Sequence, residues 1–254
     1  MLEEKYTLIW SFRNRWDVFK QSLESADKFT SKEVDFCLVD AASDEETIRN
    51  LREYCNTITD RKIRICESAY RSSLSEAWNL GMMLTPNRYA IFASSDVIFK
   101  SSKWFEELKT CHEQTGSEYI LISNHAVFLI DKKIIPVLGW MDEEFGIGPH
   151  FDSDYLLRAY INGIKVEWIN INGHYVHLGD AEGYGAARAG DKDPNRLPMG
   201  TLENEIYWKS KWESNWQGWK LGTPQKKDPP LNPNEVKRIK PEIDPHPIYT
   251  KKCK

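Results

Sequence analysis

The hydrophobic pattern of the first hundred residues alternates between short apolar runs and segments with helical spacing. The apolar runs predict strands at residues 6–10, 35–39, 63–66 and 89–93. Apolar positions with helical spacing predict helices at 16–25, after Ser43 and Asp44, and at 74–84, where Pro86 follows. Strands that alternate with helices in this way are typical of βαβ units, so the pattern predicts an α/β fold with a mainly parallel central sheet.

The second half of the chain is less regular. It predicts strands at 119–123, 126–130, 165–169 and 175–177, and helices at 153–162 and 202–212. A loop bounded by glycines occupies 139–149. Beyond residue 220 the chain is rich in Pro and Lys and has no helical or strand period. We therefore expect one domain over 1–220, followed by an extended C-terminal tail over 221–254.

Polar residues follow three of the predicted strands. Arg13 and Asn14 come after the first strand, Asp40 after the second, and Asp96 after the fourth. Because the carboxyl ends of parallel strands meet at one edge of a sheet, where open α/β sheets bind ligands, these residues predict a crevice there. Each of them could instead be a turn residue or a helix cap, and Asp96 could cap a helix that starts near Ser101.

Composition and charge narrow the function classes. The chain has 254 residues with a net charge of −4, so no general attraction to nucleic acid or to an anionic membrane is expected. No apolar run approaches the ~20 residues of a membrane span, and the first residues lack the pattern of a signal peptide. The 5 cysteines form no C-x-x-C pair, which argues against a zinc site or a disulfide framework. We expect a soluble cytoplasmic protein. The sequence leaves its oligomeric state open.

Several short motifs occur in a characteristic order. They are Leu38–Asp44 (LVDAASD), Ala77–Gly81 (AWNLG), Ser94-Ser95-Asp96, Gly139–Phe145 (GWMDEEF), Phe151–Arg158 (FDSDYLLR), His177, and Asn204 with Lys211-Trp212. This order resembles that of the family 2 glycosyltransferases of GT-A fold, where the corresponding segments are a Val-Asp-Asp-Gly-Ser-x-Asp loop, an Ala-x-Asn-x-Gly helix, a D-x-D motif, an acceptor loop, a Glu-Asp-x-Asp helix, a late His and an Asn…Lys-Trp signature.

The resemblance implies a GT-A fold, with a Rossmann-like nucleotide-binding half over about 1–100 and an acceptor-binding half over 101–220. It implies an enzyme that moves a hexosyl or deoxyhexosyl group from a UDP-, GDP- or dTDP-sugar to a hydroxyl of a glycan or glycoconjugate, with inversion and with help from Mn²⁺ or Mg²⁺.

The resemblance also implies a role for particular residues. Asp152 is the expected catalytic base, and Asp96 and His177 are the expected metal ligands. The expected donor-binding residues are Ser11, Arg13, Asn14, Asp40, Asn79, Ser94 and Ser95. The expected acceptor-binding residues are Trp140, Asp142 and Asp154.

The chain departs from the family pattern at two of these motifs. Ser94 replaces the first carboxylate of D-x-D, and Phe151 replaces the Glu before the base. Mg²⁺ or Mn²⁺ needs only one or two protein oxygens when phosphates supply the remaining ligands, so Asp96 could suffice. Two other functions stay open: a non-catalytic nucleotide-sugar or carbohydrate-binding relative, and a nucleotidyltransferase, although the latter would favour glycines in the first loop, which SFRNRW lacks.

Two structural alternatives also stay open. Asp152 and Asp154 could act as caps at the start of their helix, which suits Asp154 better. The tryptophans near the C-terminal end (Trp208, Trp212, Trp216 and Trp219) would share one helical face, either packed in the core or stacked on a sugar.

Overall fold

The computed structural model describes residues 2–122, 126–145, 150–171, 173–178 and 201–212. The strands are β1 (Glu3–Phe12), β2 (Asp35–Asp40), β3 (Ile63–Glu67), β4 (Asn87–Ser94), β5 (Val97–Phe99), β6 (Tyr119–Ile122), β7 (Val127–Asp131), β8 (Val166–Ile169) and β9 (Tyr175–His177). The α-helices are α1 (Trp16–Phe29), α2 (Glu45–Cys55), α3 (Leu74–Leu84), α4 (Lys103–Thr115), α5 (Ile135–Leu138), α6 (Phe151–Ile161) and α7 (Thr201–Trp212). A 3₁₀ turn at Lys132–Ile134 precedes α5.

Seven of the strands form one sheet, in the order β3-β2-β1-β4-β7-β6-β8. All neighbouring pairs are parallel except those made by β7, which is antiparallel to both β4 and β6. The expectation of a mainly parallel sheet flanked by helices is therefore confirmed. The two remaining strands, β5 and β9, pair with each other in an antiparallel ribbon.

Side chains alternate along each buried strand, so both faces of the sheet carry apolar residues. Helices therefore cover both faces. Trp10 and Phe36 point to the face covered by α1, α2 and α4. Ile9 and Cys37 point to the face covered by α3, α6 and α7. At Gly81 of α3, a Cβ atom would lie 2.5 Å from Cγ2 of Ile9, so the glycine allows the helix to lie close to the centre of the sheet.

Local signals explain several element boundaries. Asp44 caps α2 by accepting a hydrogen bond from the Thr47 amide at 2.8 Å. Ser73 and Glu76 form a capping box at the start of α3, whose bounds match the predicted ones. Two predicted helices differ from the structure. Helix α1 continues to Phe29 instead of ending at residue 25. Helix α6 begins at Phe151 instead of residue 153, directly after His150, which has a left-handed conformation (φ 88°).

Two alternatives from the sequence are now resolved. Helix α4 begins at Lys103 and its N-cap is Ser102, so Asp96 is not a helix cap. Trp208 and Trp212 are fully buried in the core, so core packing is confirmed and sugar stacking is wrong for these two. Trp216, Trp219 and the predicted tail lie outside the described residues. Within the described ranges, no helix has both the length and the apolar character that a membrane crossing requires.

Candidate active site

The carboxyl ends of β2, β1 and β4 lie next to one another, at the edge of the sheet where the sequence predicts a crevice. Ser11 of β1 pairs with Val39 on one side and with Ser94 on the other. Asp40 pairs with Phe12, one residue further along. The strand register therefore places the expected donor-binding residues Ser11, Asp40 and Ser94 side by side at one edge of the sheet.

The loops after β1 and β2 are tied together above this edge. The Asn14 amide donates to Ser43 Oγ at 2.7 Å, and Asn14 Oδ1 accepts from the Asp44 amide at 2.9 Å. Arg13 Nε donates to the Ala42 carbonyl at 3.3 Å. Asn14 and Ala42 have φ values of 51° and 63°, a left-handed conformation that costs energy for residues other than glycine. Such strain persists where surrounding contacts hold it, and it clusters at functional sites.

Asp40 is a buried carboxylate at this edge. It is only 2% exposed, and its two oxygens accept from the Ser43 amide at 3.0 and 3.1 Å. Burial raises the pKa of the Asp40 carboxyl, although the hydrogen bonds from Ser43 act in the opposite direction, and Glu67 adds to the increase. Burial removes water from the Asp40 carboxylate. A ligand that donates an N–H group to Asp40 would replace part of this lost hydration with a hydrogen bond.

Asp96 and His177 lie together, as expected for a shared metal site. His177 Nε2 is 3.1 Å from Asp96 Oδ1. The ribbon of β5 and β9 brings them together, because Val97 pairs with His177 and the Leu178 amide donates to the Asp96 carbonyl at 3.1 Å. The apolar Val97 and Phe99 are buried, which anchors the ribbon in the core.

A carboxylate and an imidazole at this separation are suitable ligands for Mn²⁺ or Mg²⁺. Within the described residues, no group of three or more His, Cys, Asp or Glu side chains could hold a metal by itself. The pair thus fits an ion that takes most of its ligands from a bound phosphate and water. Ser94 and Ser95 are both half-buried and precede Asp96 at the same strand end.

Asn79 has a different role from the expected one. Its side chain is fully buried, and Nδ2 donates to the Met141 carbonyl at 2.9 Å and to Glu143 Oε1 at 2.8 Å. Its Oδ1 accepts from the Met141 amide at 3.0 Å. The prediction that Asn79 binds the donor is therefore wrong, because both ends of its amide hold the acceptor loop, residues 139–145.

Asp152 lies in the first turn of α6. Its side chain is half-buried, and Oδ1 accepts from the Ser153 amide at 2.7 Å. The preceding Phe151 is buried against Trp78 of α3, with an edge-to-face contact at 5.2 Å between ring centroids. The residue that replaces the family's Glu thus anchors the start of α6 in the core next to Asp152.

Asp154 is neither a cap nor available to an acceptor. It is 0% exposed, and Oδ2 lies 2.9 Å from Arg158 Nε and 2.8 Å from Arg158 Nη2. Oδ1 accepts from Lys211 Nζ at 2.7 Å and from Trp212 Nε1 at 2.9 Å. Burial alone would raise its pKa, but Arg158 and Lys211 outweigh burial and lower it. The predicted acceptor contact of Asp154 is wrong because a second helix covers its carboxylate.

Trp140 and Asp142 remain half-buried at the acceptor loop. Asp142 Oδ2 accepts from Tyr207 Oη at 2.9 Å and from Lys211 Nζ, and Oδ1 accepts from the Glu144 amide at 3.0 Å. Contact of these two side chains with an acceptor stays a prediction.

Sequence reasoning missed several residues that build this site. The i, i+4 spacing of Asp154 and Arg158 could have indicated their ion pair. The spacing of Asp40 and Ser43 could have indicated the turn that closes on Asp40. The pairing of Lys211 with two distant carboxylates had no local signal.

Comparison with known proteins identifies the family. Residues 7–152 match the family described as glycosyl transferase family 2, which is more than half of the chain. The chain belongs to glycosyl transferase family 2. The region matched in this family contains the strand ends from Ser11 to Asp96 and ends at Asp152. No curated protein shows a significant sequence match.

Solved structures support the GT-A fold. S. aureus TarS 1-349 in complex with UDP matches with a TM-score of 0.58 at 13% identity. The aligned region covers 67% of this chain and 59% of the TarS chain. The mannosyltransferase PcManGT from Pyrobaculum calidifontis in complex with GDP-Man and Mn²⁺ has a TM-score of 0.58 at 11% identity, covering 67% and 58%. GalNAc-T7 with UDP, GalNAc and Mn²⁺ has a TM-score of 0.62 at 14% identity, covering 85% and 50%. The family 2 chain thus spans less than two thirds of each of these structures, and at these identities the likeness shows the fold alone.

Proposed function

We propose that this protein is a metal-assisted, inverting glycosyltransferase that moves a sugar from a nucleotide-sugar to a hydroxyl of a glycan or glycoconjugate. The observation that carries the proposal is the pair of Asp96 and His177, 3.1 Å apart at the strand edge next to Ser94. In a chain of glycosyl transferase family 2, this pair has the chemistry needed beside a diphosphate. We further propose that it acts in polysaccharide biosynthesis in the cytoplasm.

In this proposal the donor lies along the strand edge. Asp40 accepts an N–H group of the nucleobase, and Arg13 and Asn14 hold the loop above it. Ser11, Ser94 and Ser95 offer hydroxyls to the ribose and to bound water. UDP-, GDP- and dTDP-sugars all carry a nucleobase N–H that could donate to Asp40. The complexes of the structural neighbours contain UDP, UDP-GlcNAc and GDP-Man.

Asp96 and His177 would hold a divalent ion, Mn²⁺ or Mg²⁺, against the diphosphate of the donor. Such an ion offsets the negative charge that develops on the leaving diphosphate as the glycosidic bond breaks. The β5–β9 pairing holds the two residues side by side, because Val97 pairs with His177 and Asp96 directly precedes Val97. Two structural neighbours contain Mn²⁺.

Asp152 would act as the catalytic base. The acceptor hydroxyl must lose its proton as its oxygen attacks the anomeric carbon, and one carboxylate opposite the leaving group is sufficient for inversion. Asp152 is the half-buried carboxylate in the first turn of α6, whereas Asp154 is fully buried and paired. Trp140 and Asp142 would contact the acceptor.

The test is a panel of UDP-, GDP- and dTDP-sugars with Mn²⁺ or Mg²⁺, with and without p-nitrophenyl glycosides as acceptors. Release of nucleoside diphosphate reports turnover, and NMR of the freed sugar gives its anomeric configuration. Asp152→Asn should still bind nucleoside diphosphate but lose roughly 10²–10⁴ in rate, the usual contribution of a well-placed base.

Asp17→Asn is the matched control, because Asp17 occupies the same position in the first turn of α1 and is exposed. It should leave turnover unchanged. Near-normal turnover of Asp152→Asn would show that the base is misassigned, and retention of the anomeric configuration would exclude the inverting mechanism. Binding without any nucleotide release by the wild type would identify a non-catalytic relative.

A further inference from the structure

A buried cluster of charges connects the acceptor loop to the helix that carries Asp152. We call Lys211 of α7, Asp142 of the acceptor loop and Asp154 of α6 the lysine clamp. Lys211 Nζ contacts Asp142 Oδ2 and lies 2.7 Å from Asp154 Oδ1. The Lys211 side chain is only 2% exposed. One ammonium group therefore bridges two carboxylates that belong to different elements.

The groups around the clamp complete its charge balance. Tyr207 donates to Asp142 at 2.9 Å, and Trp212 donates to Asp154 at 2.9 Å. Arg158 pairs with Asp154 and also donates to the carbonyls of Leu138 and Trp140, at 2.7 and 2.8 Å. Two cations thus face two carboxylates, and the donors come from both α6 and α7.

The position of the clamp relates it to catalysis. Asp154 lies two residues after Asp152 on α6. In the acceptor loop, Asp142 lies two residues after Trp140. Asn79 holds the loop at Met141, and Arg158 of α6 holds it at the Trp140 carbonyl. Lys211 adds a further tie, because it joins the Asp142 side chain to α6 through Asp154. A shift of about 1 Å between an acceptor and its base is enough to reduce a rate strongly.

We infer that Lys211 is a positioning residue that sets the separation between the acceptor loop and Asp152. The inference rests on the proposed function, because it assigns Lys211 to sugar transfer and not to donor binding. Replacing a buried ion pair by apolar side chains is often neutral for stability, so stability alone gives little reason for a lysine here. Fixing one loop geometry gives a better reason.

The central variant is Lys211→Met, which keeps the length of the side chain beside Phe145, Tyr207 and Trp212 but removes the charge. Lys209→Met is the control, since Lys209 is an exposed lysine of the same helix. Hydrogen exchange is followed at the Met141 and Glu144 amides of the acceptor loop. The Ser43 amide, in the loop between β2 and α2, serves as an internal reference.

We expect exchange at the two acceptor-loop amides to accelerate about tenfold in Lys211→Met, because local opening becomes easier, while Ser43 is unchanged. Binding of UDP or GDP with Mn²⁺ should stay within about twofold of the wild type. Transfer to p-nitrophenyl glycosides should fall at least about tenfold more than hydrolysis of the donor, since water needs no fixed loop. Lys211→Arg, which keeps the charge, should recover part of the transfer rate. Lys209→Met should behave as the wild type.

Asp142→Asn gives a second, milder perturbation, because it removes the loop side of the clamp and leaves Lys211 paired with Asp154. It should also accelerate exchange at the Met141 amide, and at this amide the double variant with Lys211→Met should exchange no faster than Lys211→Met alone. The Glu144 amide is left out of this comparison because it donates to Asp142 itself. Unchanged loop exchange in both single variants, or equal acceleration at Ser43, would overturn the inference. The exchange measurement needs no substrate, so it stands even if the wild type transfers no sugar and the proposed function fails.

Discussion

Asp154→Asn tests whether the buried ion pairs of α6 are structural. The substitution keeps the size of the side chain but removes the negative charge that faces Arg158 and Lys211. Lys211 would keep Asp142, whereas Arg158 would keep the carbonyls of Leu138 and Trp140 and at most one neutral amide oxygen at position 154. The guanidinium would then be buried without a counter-charge.

The expected loss of unfolding free energy is about 3–5 kcal/mol, the usual cost of removing one partner from a buried ion pair. A helix cap, the other interpretation of Asp154 from the sequence, would cost about 1 kcal/mol. In a domain of this size, the larger loss corresponds to a decrease of roughly 6–20 °C in Tm. The two interpretations therefore differ by an amount that is easily measured.

The difference also has a defined pH dependence. The pKa of Asp154 is lowered in the folded state, because Arg158 and Lys211 outweigh burial. Its contribution to stability is therefore fully present above the unfolded-state pKa of about 3.9 and is lost as the pH falls through the folded-state value. We expect the wild type and the variant to differ by a constant amount from about pH 5 to 8, and the difference to shrink only in more acidic solution.

Urea unfolding at pH 7, followed by tryptophan fluorescence, measures the free energy. Asp17→Asn is the control, since the Asp17 side chain is 69% exposed and its loss should change stability by no more than about 0.5 kcal/mol. A loss of about 1 kcal/mol or less for Asp154→Asn would refute the assignment of Asp154 to a structural ion-pair network.

Two further predictions concern the crevice. Asp96→Ala should abolish the part of the Tm increase by UDP or GDP that depends on Mn²⁺, because it removes one of the two expected metal ligands; an unchanged metal-dependent increase in a thermal-shift assay would exclude Asp96 from the metal site. Because burial raises the folded-state pKa of Asp40, this residue lowers stability once the pH exceeds its unfolded-state pKa. Asp40→Asn should thus be at least as stable as the wild type at pH 7 in thermal unfolding, yet bind UDP or GDP more weakly in titration calorimetry. A less stable variant with unchanged affinity would contradict both parts.

The sequence predicted the features that depend on local pattern. The bounds of α3 follow from the Ser73 capping box at one end and Pro86 after the other, and both signals lie next to the helix itself. The grouping of Ser11, Asp40 and Ser94 was also predictable, since the alternation of strands and helices places the ends of β1, β2 and β4 together. Asp96 and His177 were expected as a pair only through the family resemblance.

The features that were missed depend on contacts between distant parts of the chain. Asp154 looks like a cap or a ligand in the sequence, because no local pattern reveals Lys211 and Trp212 fifty-seven and fifty-eight positions later. Asn79 looks like a donor ligand for the same reason: its partners Met141 and Glu143 are more than sixty residues away. Burial of a polar side chain depends on what covers it, and that is decided only when the whole chain has packed.

The late position of α7 along the chain has a consequence for the order of assembly during synthesis. The strands that carry Ser11, Asp40 and Ser94 lie within the first hundred residues, so they are synthesised first. Asp142 and Asp154 receive their shared ammonium group only when Lys211 has been made. In a growing chain, the strands that carry Ser11, Asp40 and Ser94 are therefore complete before helix α7 can join Asp142 to Asp154.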